Sequence, residues 1–221
     1  MGRKILEIYE EYKIMPFLRE HMFRVAAVAS MVCDSFDMSV DKESILTACL
    51  LHDMGNIIKA DLNIFPEASE PEGIEYWQNV QNEYIKKYGK NEHEATSQIM
   101  KEVGLPESII VLAKQTYFSF FCKHRDNNDF NIKIISYADS RVDPHGIVSY
   151  EERMDEGKKR YKNRKSTFGA VREDERKKLV ECGSDTEKQI FSHCKIRPED
   201  INNQTAAALI SSLRNFVIHS I

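Results

Sequence analysis

Residues 17–36, FLREHMFRVAAVASMVCDSF, and residues 47–57, TACLLHDMGNI, decide how this chain folds. In the first stretch Phe17, His21, Val25, Val28, Val32 and Phe36 recur at steps of three and four. That spacing predicts one stripe of an amphipathic helix, with His21 on the buried side. The second stretch belongs to a helix over 41–54, opened by Asp41 as N-cap with Ser44 nearby and carrying Ile45, Ala48, Cys49 and His52. Gly55 closes it, so that His52 and Asp53 fall in its last turn. Imidazoles and carboxylates on apolar stripes each need a partner, because an unpaired buried polar or charged group costs several kcal/mol.

Working outward, helices are expected at 74–88, 92–103 (ahead of the stop Gly104-Leu105-Pro106), 107–122 and 131–142, and strand signals are nearly absent. The fold class is therefore all-α. Residues 57–73 hold Pro66, Pro71 and a run of acidic side chains and read as a loop over a cavity, a candidate lid to which Trp77 is also assigned. Beyond Pro144, segments 149–163, 170–193 and 199–219 read as helices. The expected organisation is a domain over 1–147 with a C-terminal helical extension over 148–221, packed on it or continuing it. There is no internal repeat, and the basic run KKRYKNRK at 158–165 reads as a solvated helix face.

A chain of 221 residues with 42% hydrophobic and 30% charged residues can bury a core without a metal or disulfide staple. The longest uncharged apolar stretch, Val25 to Cys33, is far shorter than the roughly 20 residues of a membrane span, so no membrane association is expected. Acidic residues in MGRKILEIYEEYK argue against a secretory signal, and Leu6 against myristoylation. The cysteines at 33, 49, 122, 182 and 194 are odd in number and lack CxxC spacing, which suits reduced thiols and a cytoplasmic location. A net charge of −4 argues against duplex nucleic acid as the main partner.

A third apolar helix, IKIISYADSRVD, presents Asp139, so that two imidazoles and two carboxylates can converge on one cation. In the order of a helical His, an adjacent His-Asp and a distant Asp, here His21, His52-Asp53 and Asp139, the chain resembles the HD superfamily of metal-dependent phosphohydrolases. The segments LREHMFRVA, TACLLHDMGNI, EHEATSQIMKEVGLPESI and IISYADSRVDPHGIVSYEER carry the resemblance over roughly residues 15–145. It implies an all-α HD-domain helical bundle and a metal held by His21, His52, Asp53 and Asp139. That cation would activate a water and polarise a phosphoryl oxygen, with Asp53 as the ligand best placed to contact the water. The mixed nitrogen and oxygen set suits Mn, Co, Ni, Fe, Zn or Mg, with the identity open. Two-metal relatives add a further His pair, whereas Leu112-Ala113-Lys114-Gln115-Thr116 stands where it is expected. One divalent metal ion is therefore favoured, and an oxygenase or a two-metal cyclic-dinucleotide phosphodiesterase disfavoured.

The resemblance also directs attention to His93, Lys59 and Arg24. His93 opens a helix at a position that often lines the site in the family, Lys59 follows the His-Asp pair where the chain passes the metal, and Arg24 lies three residues after His21 on a near face. Asp53, His93 and Lys59 are the expected catalytic residues, and Arg24, Lys59 and His93 the phosphate-binding ones. Against two of them stands a plainer role: a first-turn surface histidine for His93 and a structural ion pair for Arg24. Lys114 is read as solvent-facing, Asp61 as a turn cap and Asp143 as a helix-ending residue ahead of Pro144. Glu70, Glu72 and Glu75 are nearby loop carboxylates, none singled out as a base. His124, His145, His193 and His219 are read as structural or surface residues.

The expected function is hydrolysis of a phosphomonoester, a nucleotide by the family's commonest substrate class, through a metal-activated water. The alternative is a non-catalytic nucleotide-binding sensor or scaffold. Third comes RNA-end binding or phosphodiester hydrolysis, which no aromatic stacking pattern supports. The expected partner is a small phosphorylated substrate, with a homodimer left open.

Overall fold

The computed structural model describes residues 2–63, 69–161 and 172–219. Three helices carry the predicted metal-binding positions. α2 (Pro16–Ser35) starts with proline at its first turn, where the ring's fixed φ suits the helix and the missing N–H breaks no bond. Met22, Phe23 and the run Val25 to Ser30 are all buried, so α2 is a central helix rather than a one-sided one, packed by the helices Lys42–Leu51, Phe130–Asp139 and Asn203–Leu213. α3 (Lys42–Leu51) begins where Asp41 accepts the backbone N–H of Ser44 at 3.1 Å, as the sequence predicts, and is buried continuously from Ile45 to Leu51. α8 (Phe130–Asp139), capped by Asp129, buries Lys133 through Ala138 and delivers Asp139 as its last residue.

A short α1 (Ile5–Glu11) precedes these helices, and the Tyr9 hydroxyl donates to Leu50 O at 2.6 Å, which fixes the end of α3 just ahead of His52. α4 (Ile74–Tyr88) and α5 (Glu92–Val103) occupy the predicted ranges. The single helix expected over 107–122 is broken into α6 (Glu107–Ala113), 3-10 turns at Lys114–Thr116 and Phe118–Phe120, and α7 (Phe121–Arg125). Tyr117 adopts extended backbone between the turns, because the aromatics of this run pack on different neighbours: Tyr117 on His93 and Phe121 on Tyr150.

The predicted lid is corrected at its start. Asn56–Lys59 is a buried 3-10 turn, with Ile57 and Ile58 in the core and its carbonyls bonded by the buried Gln81, whose Nε2 donates to Ile57 O at 2.7 Å and Ala60 O at 2.9 Å. Trp77 is buried within α4 and donates to Ser69 O at 3.1 Å, a packing role. Pro66 lies outside the described residues.

The C-terminal segment forms α9 (Tyr150–Tyr161), α10 (Glu173–Phe191) and α11 (Asn203–Leu213). The helix expected over 199–219 stops at Leu213, and Val217–His219 instead forms a strand antiparallel to Gly2–Lys4, with Arg3 opposite Ile218. Ile190, Ile201, Ala206, Leu213 and Ile218 join the same buried cluster as Ile8, Phe23 and Leu50. Arg141 fastens this junction. Its buried guanidinium donates to Tyr137 Oη, to Val148 O, and to Pro198 O and Ile201 O at 3.2 and 3.1 Å, satisfying carbonyls of a segment some sixty residues away. In the basic run, Lys158 and Lys159 are exposed and Arg160 pairs with Glu156, while 162–165 lie outside the described residues. No helix among the described residues is long and apolar enough to cross a membrane.

A second cluster, Phe121, Tyr150, Met154, Leu179 and Cys182, joins α7, α9 and α10. Here the reduced-thiol expectation is corrected: Cys122 and Cys182 form a disulfide, and the free cysteines are Cys33, Cys49 and Cys194. Spacing along the chain could not reveal this pair, since 60 residues separate its members. A link closing a loop of that size restricts the unfolded chain by about 4 kcal/mol in the chain-entropy account. Reduction, or Cys182→Ser, is expected to lower the urea midpoint by a stability loss of about 2–4 kcal/mol. An unchanged midpoint with and without reductant would show that the bond contributes nothing.

Candidate metal centre

α3 ends at Leu51, and His52 is its C-cap rather than part of its last turn. The His52 Nδ1–H donates to the carbonyl of Cys49 at 2.8 Å. That bond sets which tautomer the ring takes when neutral and aims Nε2 away from the helix. His52 Nε2 lies 3.3 Å from Asp139 Oδ1 and 3.6 Å from Asp53 Oδ1, yet it is buried and has no hydrogen bond of good geometry. His21, one turn into α2, sets Nε2 3.1 Å from Asp139 Oδ1 and 3.6 Å from Asp53 Oδ2. Ligand atoms of His21, His52 and Asp53 all lie within 4.8 Å of one another. Neighbouring ligands around an octahedral cation with bonds of about 2.1 Å stand roughly 3 Å apart, so these separations fit a divalent ion. The His52 side chain is 1% exposed, whereas His21, Asp53 and Asp139 keep 16%, 20% and 23%, so the cluster faces an opening.

The electrostatics ask for positive charge at this point. Asp139 sits at the negative end of its own helix dipole. Burial raises its pKa, but the hydrogen bond from His21 and the nearby charge of both imidazoles outweigh this and hold it well below the usual carboxylate range. Burial disfavours a charged His52, yet Asp53 and Asp139 prevail and lift its pKa to about 9. Two carboxylates facing two imidazoles are a donor set that can hold one divalent ion.

Gly55 takes ordinary right-handed backbone angles, φ −92° and ψ −2°, so a helix-ending left-handed conformation is not why glycine stands here. It is required by close approach. A Cβ at Gly55 would sit 2.3 Å from Glu92 O and 2.8 Å from Thr96 N, and the Gly55 N–H donates to Thr96 Oγ1 at 2.9 Å. This contact docks the first turn of α5 beside the centre. There Asn91 caps the helix, accepting from the N–H groups of His93 and Glu94.

His93 is accordingly near the centre. It stacks on Tyr117 with centroids 3.9 Å apart, and burial, then Lys59, keep its pKa low. Lys59 Nζ lies 3.4 Å from Glu92 Oε1. Burial of Glu92 is outweighed by Lys59, which holds the carboxylate ionised. Arg24 is half-buried one turn beyond His21 and makes no ion pair or hydrogen bond among the described residues, so the structural ion pair weighed for it is absent there. Lys114, expected to face solvent, lines a cleft with His52, His93, Thr96 and Tyr117. Asp61 caps its turn through Asn63 N at 3.2 Å, as expected, whereas α8 already ends at Asp139 and Asp143 instead holds the turn beyond it, accepting from the N–H groups of His145 and Gly146. Glu70, Glu72 and Glu75 are exposed.

Glu92 and Tyr117 escaped the sequence reading. Burial and the charges of Glu92 and Asp53 raise the Tyr117 hydroxyl to about 12, so it is a donor at neutral pH. His124 is also more than a bystander. Its ring nitrogens meet Ser136 Oγ at 3.0 Å and Gln115 Oε1 at 3.2 Å, so Nε2–H donates to the amide oxygen and the Ser136 hydroxyl donates to Nδ1.

Residues 18–141, more than half of the chain, match the family model described as HD domain. No curated protein and no solved structure matches the chain.

Two outcomes are expected from this geometry. Gly55→Ala must push α5 away and should cost about 1–3 kcal/mol in a urea titration, with reduced metal retention; wild-type stability in that variant would refute the close-approach account. Burial, with Lys123 and Lys133, depresses the His124 pKa from 6.5 to about 4. The unfolded chain therefore binds the extra proton first, and stability falls as pH drops from about 6.5 to 4, by roughly 1 kcal/mol per pH unit from this group. His124→Gln should flatten that part of the stability profile, and a superimposable profile would count against a neutral buried imidazole.

Proposed function

The chain belongs to the HD-domain family, and on that premise we propose that it is a divalent-metal-dependent phosphohydrolase acting on a phosphomonoester, a nucleotide by substrate class. The observation that carries the reading is the buried His52 Nε2, held in one tautomer between two carboxylates and lacking a hydrogen bond. A structural ion-pair cluster would leave no such atom orphaned. His21, His52, Asp53 and Asp139 would hold the cation.

Once bound, the cation supplies a water of lowered pKa and Lewis-acid polarisation of a phosphoryl oxygen. The rest falls to the chain's own groups. Asp53, partly exposed and paired with both imidazoles at 3.6 Å, is placed to orient the attacking water and accept its proton. Arg24, with no carboxylate partner among the described residues, is free to take phosphate oxygens in a bidentate grip. Lys59 reaches the same region through Glu92, and His93, kept neutral, lines the cleft beside His52, where it can hydrogen-bond the phosphoryl group. The Tyr117 ring stacked on His93 supports the nucleotide reading, since a base or sugar can lie against that aromatic edge.

The decisive experiment is elemental analysis of chelator-free protein beside Asp139→Ala, followed by a phosphatase screen with Mn, Co, Ni, Mg and Zn. Near-stoichiometric metal in wild type, its loss in Asp139→Ala, and a fall of more than about 100-fold in nucleoside monophosphate hydrolysis in Asp53→Ala are expected. Metal and nucleotide binding without turnover would favour the sensor reading, and no metal under any loading would remove the site itself.

A further inference from the structure

The phosphohydrolase reading leaves one cation unaccounted for. With a divalent ion in place, the charges of Asp53 and Asp139 are balanced, and Lys59 and Glu92 balance each other at 3.4 Å. Lys114 lines the cleft shared with His52 and His93 and has no carboxylate partner among the described residues. Met100, Ile110 and Ala113 line the same cleft, so apolar groups as well as polar ones surround the half-buried lysine.

Its position is also fixed. Lys114 caps α6, and the next residue, Gln115, is held by His124, which is bonded to Ser136 one turn before Asp139 on α8. Thr116 Oγ1 closes the same turn on Ala113 O at 3.2 Å. The lysine is thus referenced to the helix that carries Asp139 rather than to a free loop.

Resting on the phosphohydrolase reading, we propose that Lys114 grips the phosphoryl group from the α5–α6 side of the cleft and selects dianionic phosphomonoesters over monoanionic diesters. If Arg24, one turn beyond His21 on α2, also reaches the phosphoryl group, the centre offers two uncompensated cations, matching the two charges of a monoester at neutral pH. A diester carries only one charge and leaves one cation without a counter-ion. The lysine's three donors act as a point charge rather than a fork, so charge, more than planar geometry, is what it contributes.

The test uses inorganic phosphate as probe on the full-length, metal-loaded protein, by titration calorimetry. Lys114→Gln should weaken phosphate binding by roughly 10- to 100-fold while metal content stays at the wild-type level. Lys114→Arg, which keeps the charge, should recover most of the affinity. In turnover, Lys114→Gln should narrow the kcat/KM ratio between phenyl phosphate and methyl phenyl phosphate. Phosphate affinity within about twofold of wild type in Lys114→Gln overturns the proposal, as does a metal-loaded wild type that binds no phosphate. A wild type that binds phosphate but hydrolyses no ester removes the hydrolase reading alone, and the Lys114→Gln affinity then decides Lys114 by itself.

Discussion

Two carboxylates brought into an apolar helical core set the terms for the rest of the molecule. Asp139 ends α8 where the helix dipole is least welcoming, and Asp53 follows directly on a helix buried along most of its length. Neither position is tolerable without nearby positive charge or strong donors. The central placement of α2, which brings His21 to 3.1 Å from Asp139, and the Cys49–His52 bond, which aims the second imidazole, are both answers to that demand. The fold is stable around this cluster because each of the three helices bringing a charged or titratable group also carries a long apolar run of its own.

What the sequence made legible follows from local chemistry. The Asp41 cap and the Gly104 stop are properties of a few adjacent residues, and the helix ends they mark lie within a residue of expectation, whereas α3 stops three residues early at Leu51. The order His21, His52-Asp53, Asp139 carried the centre because the donors lie on, or directly after, three apolar helices. Features that depend on distant partners were not legible. Glu92 and Tyr117 reach the site only through the docking of Gly55 on α5 and the break after Ala113. Likewise the strand at Val217–His219 exists because Gly2–Lys4 lies beside it, and the Cys122–Cys182 bond because α7 packs on α10. Gly55 is the instructive case: glycine after a helix suggests a conformational need, and the structure makes it a need for space.

The C-terminal helices contribute to the centre without touching it. α10 packs on α7 and α8, and α11 on α2, so two of the three donor-bearing helices are backed by residues after 172. His124 makes a similar link from inside, joining the turn that holds Lys114 to α8.

Arg141 gives this support an unusual reach. Two residues after Asp139, it is bonded to carbonyls at Pro198 and Ile201, so the end of α8 is tethered to a stretch far along the chain. In a comprehensive substitution scan, changes around 198–201 would then score with the active-centre positions although they lie outside the centre. Variation among natural sequences would be similarly constrained: a shift in the backbone at 198–201 would be tolerated only alongside a compensating change near 141, so the two segments would drift as a pair.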